Sequence, residues 1–314
     1  MRLRAFGKTD LTVSEVGFGC ARIGGIFQSD SRAFLNLLSE ARDAGINFFD
    51  TADMYSQGES EALVGRAFRR SRDRVIIASK AGYRLPGRRM FVARLKPLLR
   101  PVIKLLKLRR GQVPATVSGA LSQEFSPDYL RRAVEGSLRR LRTDYLDLFQ
   151  LHSPSAQVVE RGDWVPALES LKRAGKIRYY GVSCDAAEAG LAALKYPGVS
   201  SLQFTLNLLE QQNAERLLPA SRAGGVAVVA RECLANGLLA KNAQNIDLGA
   251  YVRSPDDRAL REEQLAVLRR SALDRGRPLI RLALDYVTGI DGVSVALVGA
   301  RTLEQLRGVL SALG

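Results

Sequence analysis

At 314 residues, 46% hydrophobic and 25% charged, the chain has the composition of a folded globular protein with a sizeable core, which excludes global disorder. No apolar run is long enough to span a bilayer and no signal-like stretch follows Met1, which predicts a cytoplasmic protein. The net charge of +15 is unevenly spread: ten Lys or Arg residues and no acid fall between Arg84 and Gln123, so the basicity belongs to one segment rather than to the fold. Three cysteines, Cys20, Cys184 and Cys233, form an odd set without metal-type spacing, which argues against a disulfide framework or a zinc site.

The N-terminal stretch alternates short apolar runs around the turn residues Gly7 to Asp10. It predicts a hairpin followed by a strand at Glu15 to Gly19. A helix at Ser31 to Ala44 leads into the strand Ile46 to Asp50, and a helix at Glu59 to Arg70 into the strand Arg74 to Ser79. After a long basic segment the alternation resumes at Ser126, a cap residue before Pro127 at the first helical position, with a helix to Leu141 and a strand Tyr145 to Gln150. Helix Val165 to Ala174, strand Arg178 to Ser183, helix Ala186 to Leu194, strand Ser201 to Thr205, helix Gln211 to Ala220 and strand Val226 to Ala230 follow. A helix around Glu262 to Arg275, a strand Val293 to Val298 and a helix Thr302 to Ala312 complete the pattern.

Eight strands alternate with helices, so the expected fold is α/β: a single (β/α)8 TIM barrel domain over residues 1–314, with an N-terminal β-hairpin and a basic insertion at about 82–125 after the third barrel strand. An open doubly wound sheet is the runner-up. It is disfavoured because Gly17, Gly19, Gly24 and Gly25 lack the G-x-G-x-x-G spacing that opens a dinucleotide-binding helix. Two long connections, Ala81 to Phe125 and Arg231 to about Arg258, both follow strands. In this fold such loops border the catalytic face.

Asp50, Lys80 and His152 stand at or just beyond the ends of the second, third and fourth barrel strands, and Tyr55 lies in the loop after the second. Each alone reads as a cap, a solvated charge or packing; four ionisable groups converging on the catalytic face read as a site. A phenol is protonated near neutrality and can act as an acid once a cation eases phenolate formation. Lys80 is that cation, Asp50 keeps it in place and charged, and the His152 imidazole can orient a substrate carbonyl. His152 is the only histidine, which rules out a multi-histidine metal site and forces any Ser-His-Asp triad to use it.

These residues carry a resemblance. Asp50-Thr51-Ala52-Asp53-Met54-Tyr55 with Gly58-Glu59-Ser60-Glu61, and Ser137 to Leu148 leading into Gln150-Leu151-His152-Ser153-Pro154, resemble the aldo-keto reductase signatures, and the likeness spans almost the whole chain. It implies that Asp50, Tyr55, Lys80 and His152 are the catalytic tetrad, with Tyr55 the general acid, and that the cofactor is a nicotinamide nucleotide. It further implies cofactor contacts at Gly19, Cys20 and Asp50; at Ser183, Cys184 and Gln203 around the carboxamide; and at Ala230, Arg231, Leu234 and Gly237 after the seventh strand. Cys184 stands where the family has Asn, and a thiol mimics an amide poorly. Arg231 stands where an aromatic often stacks on nicotinamide, a task a guanidinium plane can perform; an ion pair with Glu232 is its structural alternative. Gly299, Arg301 and Gln305 resemble the adenosine-phosphate segment, with Arg301 suited to a 2′-phosphate, so NADP(H) is expected over NAD(H). Gly308-Val309 departs from the family's adenine-contacting Glu-Asn pair.

Between Arg94 and Arg110 apolar and basic residues recur on different helical faces, interrupted by Pro97 and Pro101. The segment 84–123 has three readings: a lid packed across the barrel mouth, a peripheral contact with an anionic membrane, or one with an acidic partner. Nucleic acid is disfavoured, since only Phe91 offers a stacking ring between Arg84 and Gln123. The expected activity is NADPH-dependent, reversible reduction of an aldehyde or ketone, sugar-derived carbonyls included. Two other readings are an NADP(H)-binding sensor or partner-docking subunit with incidental reductase activity, and a barrel hydrolase or isomerase that uses no nicotinamide.

Overall fold

The structure is a computed structural model that describes residues 1–21, 23, 31–84, 122–240, 248 and 255–314. The amphipathic pattern of residues 94–110 therefore lies outside the described residues, as do Gly24 and Gly25 and residues 241–247 and 249–254 of the connection after Arg231. Among the described residues no helix is long and apolar enough to cross a membrane.

Two short strands, β1 (Leu3–Ala5) and β2 (Thr12–Ser14), pair antiparallel with Leu3 opposite Ser14. Their turn is closed by the Thr9 hydroxyl, which donates to the Phe6 carbonyl at 2.7 Å. Eight parallel strands then close into a barrel: β3 (Val16–Gly19), β4 (Phe48–Asp50), β5 (Ile76–Ala81), β8 (Leu146–His152), β9 (Ile177–Ser183), β10 (Val199–Thr205), β11 (Ala227–Arg231) and β12 (Val293–Val298). Between β5 and β8, a two-stranded ribbon of β6 (Tyr83–Arg84) and β7 (Ser122–Gln123) brackets the basic segment. The sequence pattern did not reveal this ribbon, since two residues per strand carry no periodicity.

The helices packed around the barrel are α1 (Ser31–Asp43), α2 (Glu59–Phe68), α3 (Pro127–Leu141), α4 (Ala156–Arg161), α5 (Val165–Arg173), α6 (Ala187–Ala193), α7 (Gln212–Ala223), α8 (Pro255–Asp274), α9 (Leu279–Gly289) and α10 (Leu303–Leu313). Helix α3 begins as its sequence predicts: the Ser126 hydroxyl accepts from the Tyr129 N–H and Pro127 occupies the first turn. Helices α2 and α3 approach so closely that a Cβ on Gly65 would lie 2.0 Å from the Leu141 carbonyl oxygen, so only glycine fits there.

Two elements differ from expectation. The single helix expected before the last strand is two helices, and α9, not α8, leads into β12. Pro278 marks the break, and Leu279, Ala283, Leu284 and Val287 form the buried stripe of α9. Strands β5 and β8 also run two residues further than expected, so Lys80 and His152 lie within strands rather than beyond them.

The core has two parts. A large outer one fills the space between barrel and helices, with Phe18, Phe49, Phe149 and Tyr180 fully buried. A smaller inner one plugs the end of the barrel where the strands begin: Phe6, Leu11 and Val13 of the hairpin pack on Phe48, Leu148 and Val295.

Candidate active site

Strand alternation sorts the barrel residues into inner and outer faces, and the register shows which share a face. Gly19 pairs with Asp50, Lys80 with Gln150, His152 with Ser183, and Ser183 with Gln203. All therefore project inward near the ends of their strands, above the apolar plug. Just below them Gln150 donates from Nε2 to Ser201 Oγ at 3.3 Å, while its Oε1 is buried with no partner among the described residues. Gly181 leaves room for that contact, as a Cβ there would sit 2.2 Å from Ser201 Oγ.

At the mouth Lys80 Nζ donates to both Asp50 oxygens at 2.6 Å and to the Thr51 carbonyl at 3.0 Å. The lysine side chain is 1% exposed, so the pair is desolvated and held by geometry. Gln203 Nε2 donates to Asp50 Oδ1 at 2.9 Å, and Ser183 Oγ donates to Gln203 Oε1 at 3.0 Å. A continuous chain thus runs Ser183, Gln203, Asp50, Lys80 and ends beneath the Tyr55 phenol, whose ring centre is 5.3 Å from Lys80 Nζ. Tyr55 and His152 meet edge to face, ring centres 5.7 Å apart. His152 Nδ1 is buried without a hydrogen-bond partner among the described residues.

Three of these residues are followed by main chain in the left-handed region: Ser56 and Gln57 after Tyr55, Ser153 after His152, and Glu232 after Arg231, with φ between 50° and 60°. Non-glycine residues adopt this region at a cost and cluster at sites that need an abrupt turn. Here the turns redirect the chain just past each side chain that must stay at the mouth.

Burial, then repulsion from Asp50, pushes the Tyr55 phenol up, only partly offset by the Lys80 charge and its hydrogen bond, so Tyr55 is protonated across the neutral range. Burial opposes the charge on Lys80, but Asp50 and Tyr55 together outweigh it and its pKa is raised. Burial, then Lys80 and Arg231, drive His152 well below the usual imidazole range, so its ring is neutral. The arrangement offers a protonated phenol, a fixed cation beside it and a neutral ring nitrogen facing the same space. It can deliver one proton to an oxygen and stabilise the anion left behind.

The expected cofactor residues fall into two groups. Gly19 and Gly299 face one another at the ends of β3 and β12: a Cβ on Gly19 would lie 3.6 Å from the Val298 carbonyl and one on Gly299 3.6 Å from the Gly19 carbonyl. That bare strip of main chain leads to the start of α10, where Thr302 caps the helix by accepting from the Gln305 N–H at 3.2 Å. Bare backbone beside a helix N-terminus and Arg301 fits a dinucleotide phosphate chain. Gln305 spends its Oε1 on the Arg301 N–H at 2.8 Å, so its first task is to shape this turn.

The cysteines behave otherwise. Cys20 and Cys184 are fully buried and belong to the outer core, their thiols directed at the Phe18 and Gln203 carbonyls. Their side chains are thus unavailable to a cofactor, and only their main chain borders the site. Ala230 is likewise buried, and Leu234 and Gly237 shape the turn after β11. Arg231 makes the ion pair with Glu232 that the sequence offered as the alternative to stacking, at 2.8 Å, and a second with Asp185 in the loop after β9. Asp185 was not singled out in the sequence, because nothing local marks a partner 46 positions away.

A family model described as the aldo/keto reductase family matches residues 15–314. An uncharacterised oxidoreductase, YqkF of Bacillus subtilis, is 30% identical over 98% of this chain and 89% of its own. The NADH-specific methylglyoxal reductase of Escherichia coli is 28% identical over 100% of this chain and 94% of its own. Among solved structures, the holo form of the aldo-keto reductase AKR11C1 from Bacillus halodurans is similar with a TM-score of 0.79 and 31% identity, covering 100% of this chain and 91% of that one.

Proposed function

The chain belongs to the aldo/keto reductase family, whose members are oxidoreductases that reduce carbonyl compounds with a nicotinamide cofactor, and we propose that it reduces an aldehyde or ketone, sugar-derived carbonyls included, reversibly with NADPH. A nicotinamide nucleotide bound along the strand ends supplies the hydride to the carbonyl carbon. Tyr55 holds a proton on its hydroxyl and gives it to the carbonyl oxygen as charge develops there. Lys80 stabilises the phenolate that remains, and Asp50 keeps the ammonium beneath it. Neutral His152 orients the carbonyl oxygen. In the reverse direction the phenolate takes the proton back from an alcohol.

Ser183 and Gln203 would hold the carboxamide of the nicotinamide, and Arg231, steadied by Asp185 and Glu232, would supply a guanidinium beside it. Arg301 at the start of α10 would pair with a 2′-phosphate, the reason for preferring NADPH. The observation that carries this reading is the convergence of Tyr55, Lys80, Asp50 and His152 at one barrel mouth, with a buried His152 nitrogen left without a partner. A panel of aldehydes and ketones, methylglyoxal among them, assayed with NADPH on wild type and Tyr55→Phe, tests it. Turnover on at least one carbonyl, lost in Tyr55→Phe while NADPH fluorescence quenching is retained, is expected. Undiminished turnover in the variant would remove Tyr55 as the acid.

A further inference from the structure

Beside the mouth lies a carboxyl that the reaction does not use. Asp53 stands two residues before Tyr55, and its backbone N–H donates to the Lys80 carbonyl at 2.9 Å, fastening the loop to β5. Its side chain reaches α3, where Oδ2 lies 3.4 Å from the Tyr129 hydroxyl; Oδ1 is buried with no hydrogen-bond partner among the described residues. The same Tyr129 hydroxyl is 3.3 Å from the main-chain carbonyl of Tyr83. One hydroxyl proton therefore faces two acceptors at nearly equal distance. Tyr83, in turn, sets its ring edge to face against His152, centres 5.0 Å apart.

We propose that Asp53 and Tyr129 are a positioning pair for Tyr83: ionised Asp53 draws the Tyr129 hydroxyl to itself, whereas protonated Asp53 releases it to the Tyr83 carbonyl and so fastens Tyr83 against His152. The inference rests on the reading of His152 as the group that faces the substrate carbonyl. The choice follows from hydrogen-bond strength. A carboxylate competes for a phenol proton far better than a peptide carbonyl does, and a neutral carboxyl does not. Tyr129 itself stays a donor throughout, because burial and then the charge of Asp53 hold its phenol well above the usual range.

The groups facing Asp53 place its proton exchange in a useful range. Glu61 of α2, itself held by Ser79 and Arg140, presents a like charge; Arg140 of α3 presents an opposite one. The Met54 N–H and the Tyr129 hydroxyl favour the anion, and Glu124, paired with Arg84 at 3.0 Å, adds a further like charge near Tyr129. Burial, reinforced by Glu61, outweighs the rest and raises Asp53 to about 7. Below that pH Tyr83 is fastened; above it Tyr83 is loosened.

His152 reports on this directly, because it is the chain's only histidine and burial, then Lys80 and Arg231, displace its own titration well below the usual imidazole range. With 13C-labelled histidine, the ring C–H signal of the full-length protein is followed by NMR from pH 5.5 to 8.5 in wild type, Asp53→Asn and Tyr129→Phe. Wild type should show one inflection near pH 7. Asp53→Asn, which mimics the neutral acid, should stay at the low-pH position, and Tyr129→Phe, which has no hydroxyl to give, should stay near the high-pH position. The carbonyl KM should follow: rising roughly three- to tenfold through neutrality in wild type, as loss of one hydrogen bond allows, flat and low in Asp53→Asn, flat and high in Tyr129→Phe, with NADPH affinity unchanged. An inflection that persists in either variant, or is missing from wild type, overturns the pairing. Lack of any carbonyl turnover would instead defeat the functional reading, and the NMR titration would stand or fall without it.

Discussion

The two ends of the barrel are built from the same strands and do opposite work. Where the strands begin, the hairpin residues Phe6, Leu11 and Val13 seal the barrel against an apolar layer. Where they end, the same inward-facing positions carry Asp50, Lys80, Gln203 and Ser183 in one hydrogen-bonded chain, with His152 beside it against the Tyr55 ring. Two residues of rise along a strand are enough to pass from Phe48 to Asp50 or from Ala78 to Lys80. The contrast separates stability from chemistry within a single tube, with the Gln150–Ser201 contact between the two layers. Substitutions at the two ends should therefore fail in different ways.

Tyr55→Phe should have the largest effect, lowering kcat about 10²- to 10⁴-fold as expected for loss of a positioned general acid, with Tm unchanged. Phe6→Ala at the opposite end should do the reverse. It removes a fully buried ring and should cost about 3–5 kcal/mol in denaturant unfolding while leaving kcat of the folded fraction intact. Lys80→Met tests whether the mouth is free of structural duty: it strands Asp50 without its cation in a desolvated site, so about 3–5 kcal/mol of stability should vanish together with turnover. Retained stability in Lys80→Met would mean that water reaches Asp50.

A smaller effect distinguishes a titrating group at the same end. Asp53 has a folded-state pKa of about 7 against an ordinary value of 3.8, so the folded protein binds its proton more tightly than the unfolded chain does. Its contribution therefore lowers stability as pH rises from about 4 to about 7 and is constant above. Asp53→Asn lacks that proton dependence. Its Tm advantage over wild type should grow across this window, to roughly a few degrees, and then level off; an advantage independent of pH would place the Asp53 carboxyl in water.

The layer of chemistry was more legible in the sequence than its internal wiring. Asp50, Tyr55, Lys80 and His152 were legible only together: each alone reads as a cap, a solvated charge or packing, and their convergence on the catalytic face marks the site. Cys184 could have been resolved by the same alternation: it follows inward-facing Ser183, which turns it outward into the core. What could not be read is pairing across the barrel. Gln203 donates to Asp50 from 153 positions away, and Arg231 binds Asp185 across the gap between β9 and β11. No local pattern encodes such contacts, nor the left-handed turns at Ser56, Ser153 and Glu232, which use none of the residues that favour that region. Helix α9 was missed although it was partly legible: no element was expected between Arg275 and Val293, yet Pro278 stands at its N-cap and an apolar stripe follows.

The smallest expected effect lies at the rim of the mouth, where the phosphate end of the cofactor would rest. Arg301 is exposed and its N–H is engaged by Gln305, so its substitution should leave the fold and kcat unaltered. If Arg301 pairs with a 2′-phosphate, Arg301→Ala should weaken NADPH binding about tenfold, within the range of a charge-assisted hydrogen bond, and leave NADH binding unchanged. The comparison of the two nucleotides matters more than either value. The helix N-terminus and the Gly19–Gly299 strip serve the phosphates that both share, and Arg301 alone would distinguish them. An equal loss for both would assign Arg301 to the shared pyrophosphate and align this chain with its NADH-specific relative from Escherichia coli. The barrel mouth would then carry its proton chemistry unchanged beneath a different cofactor preference.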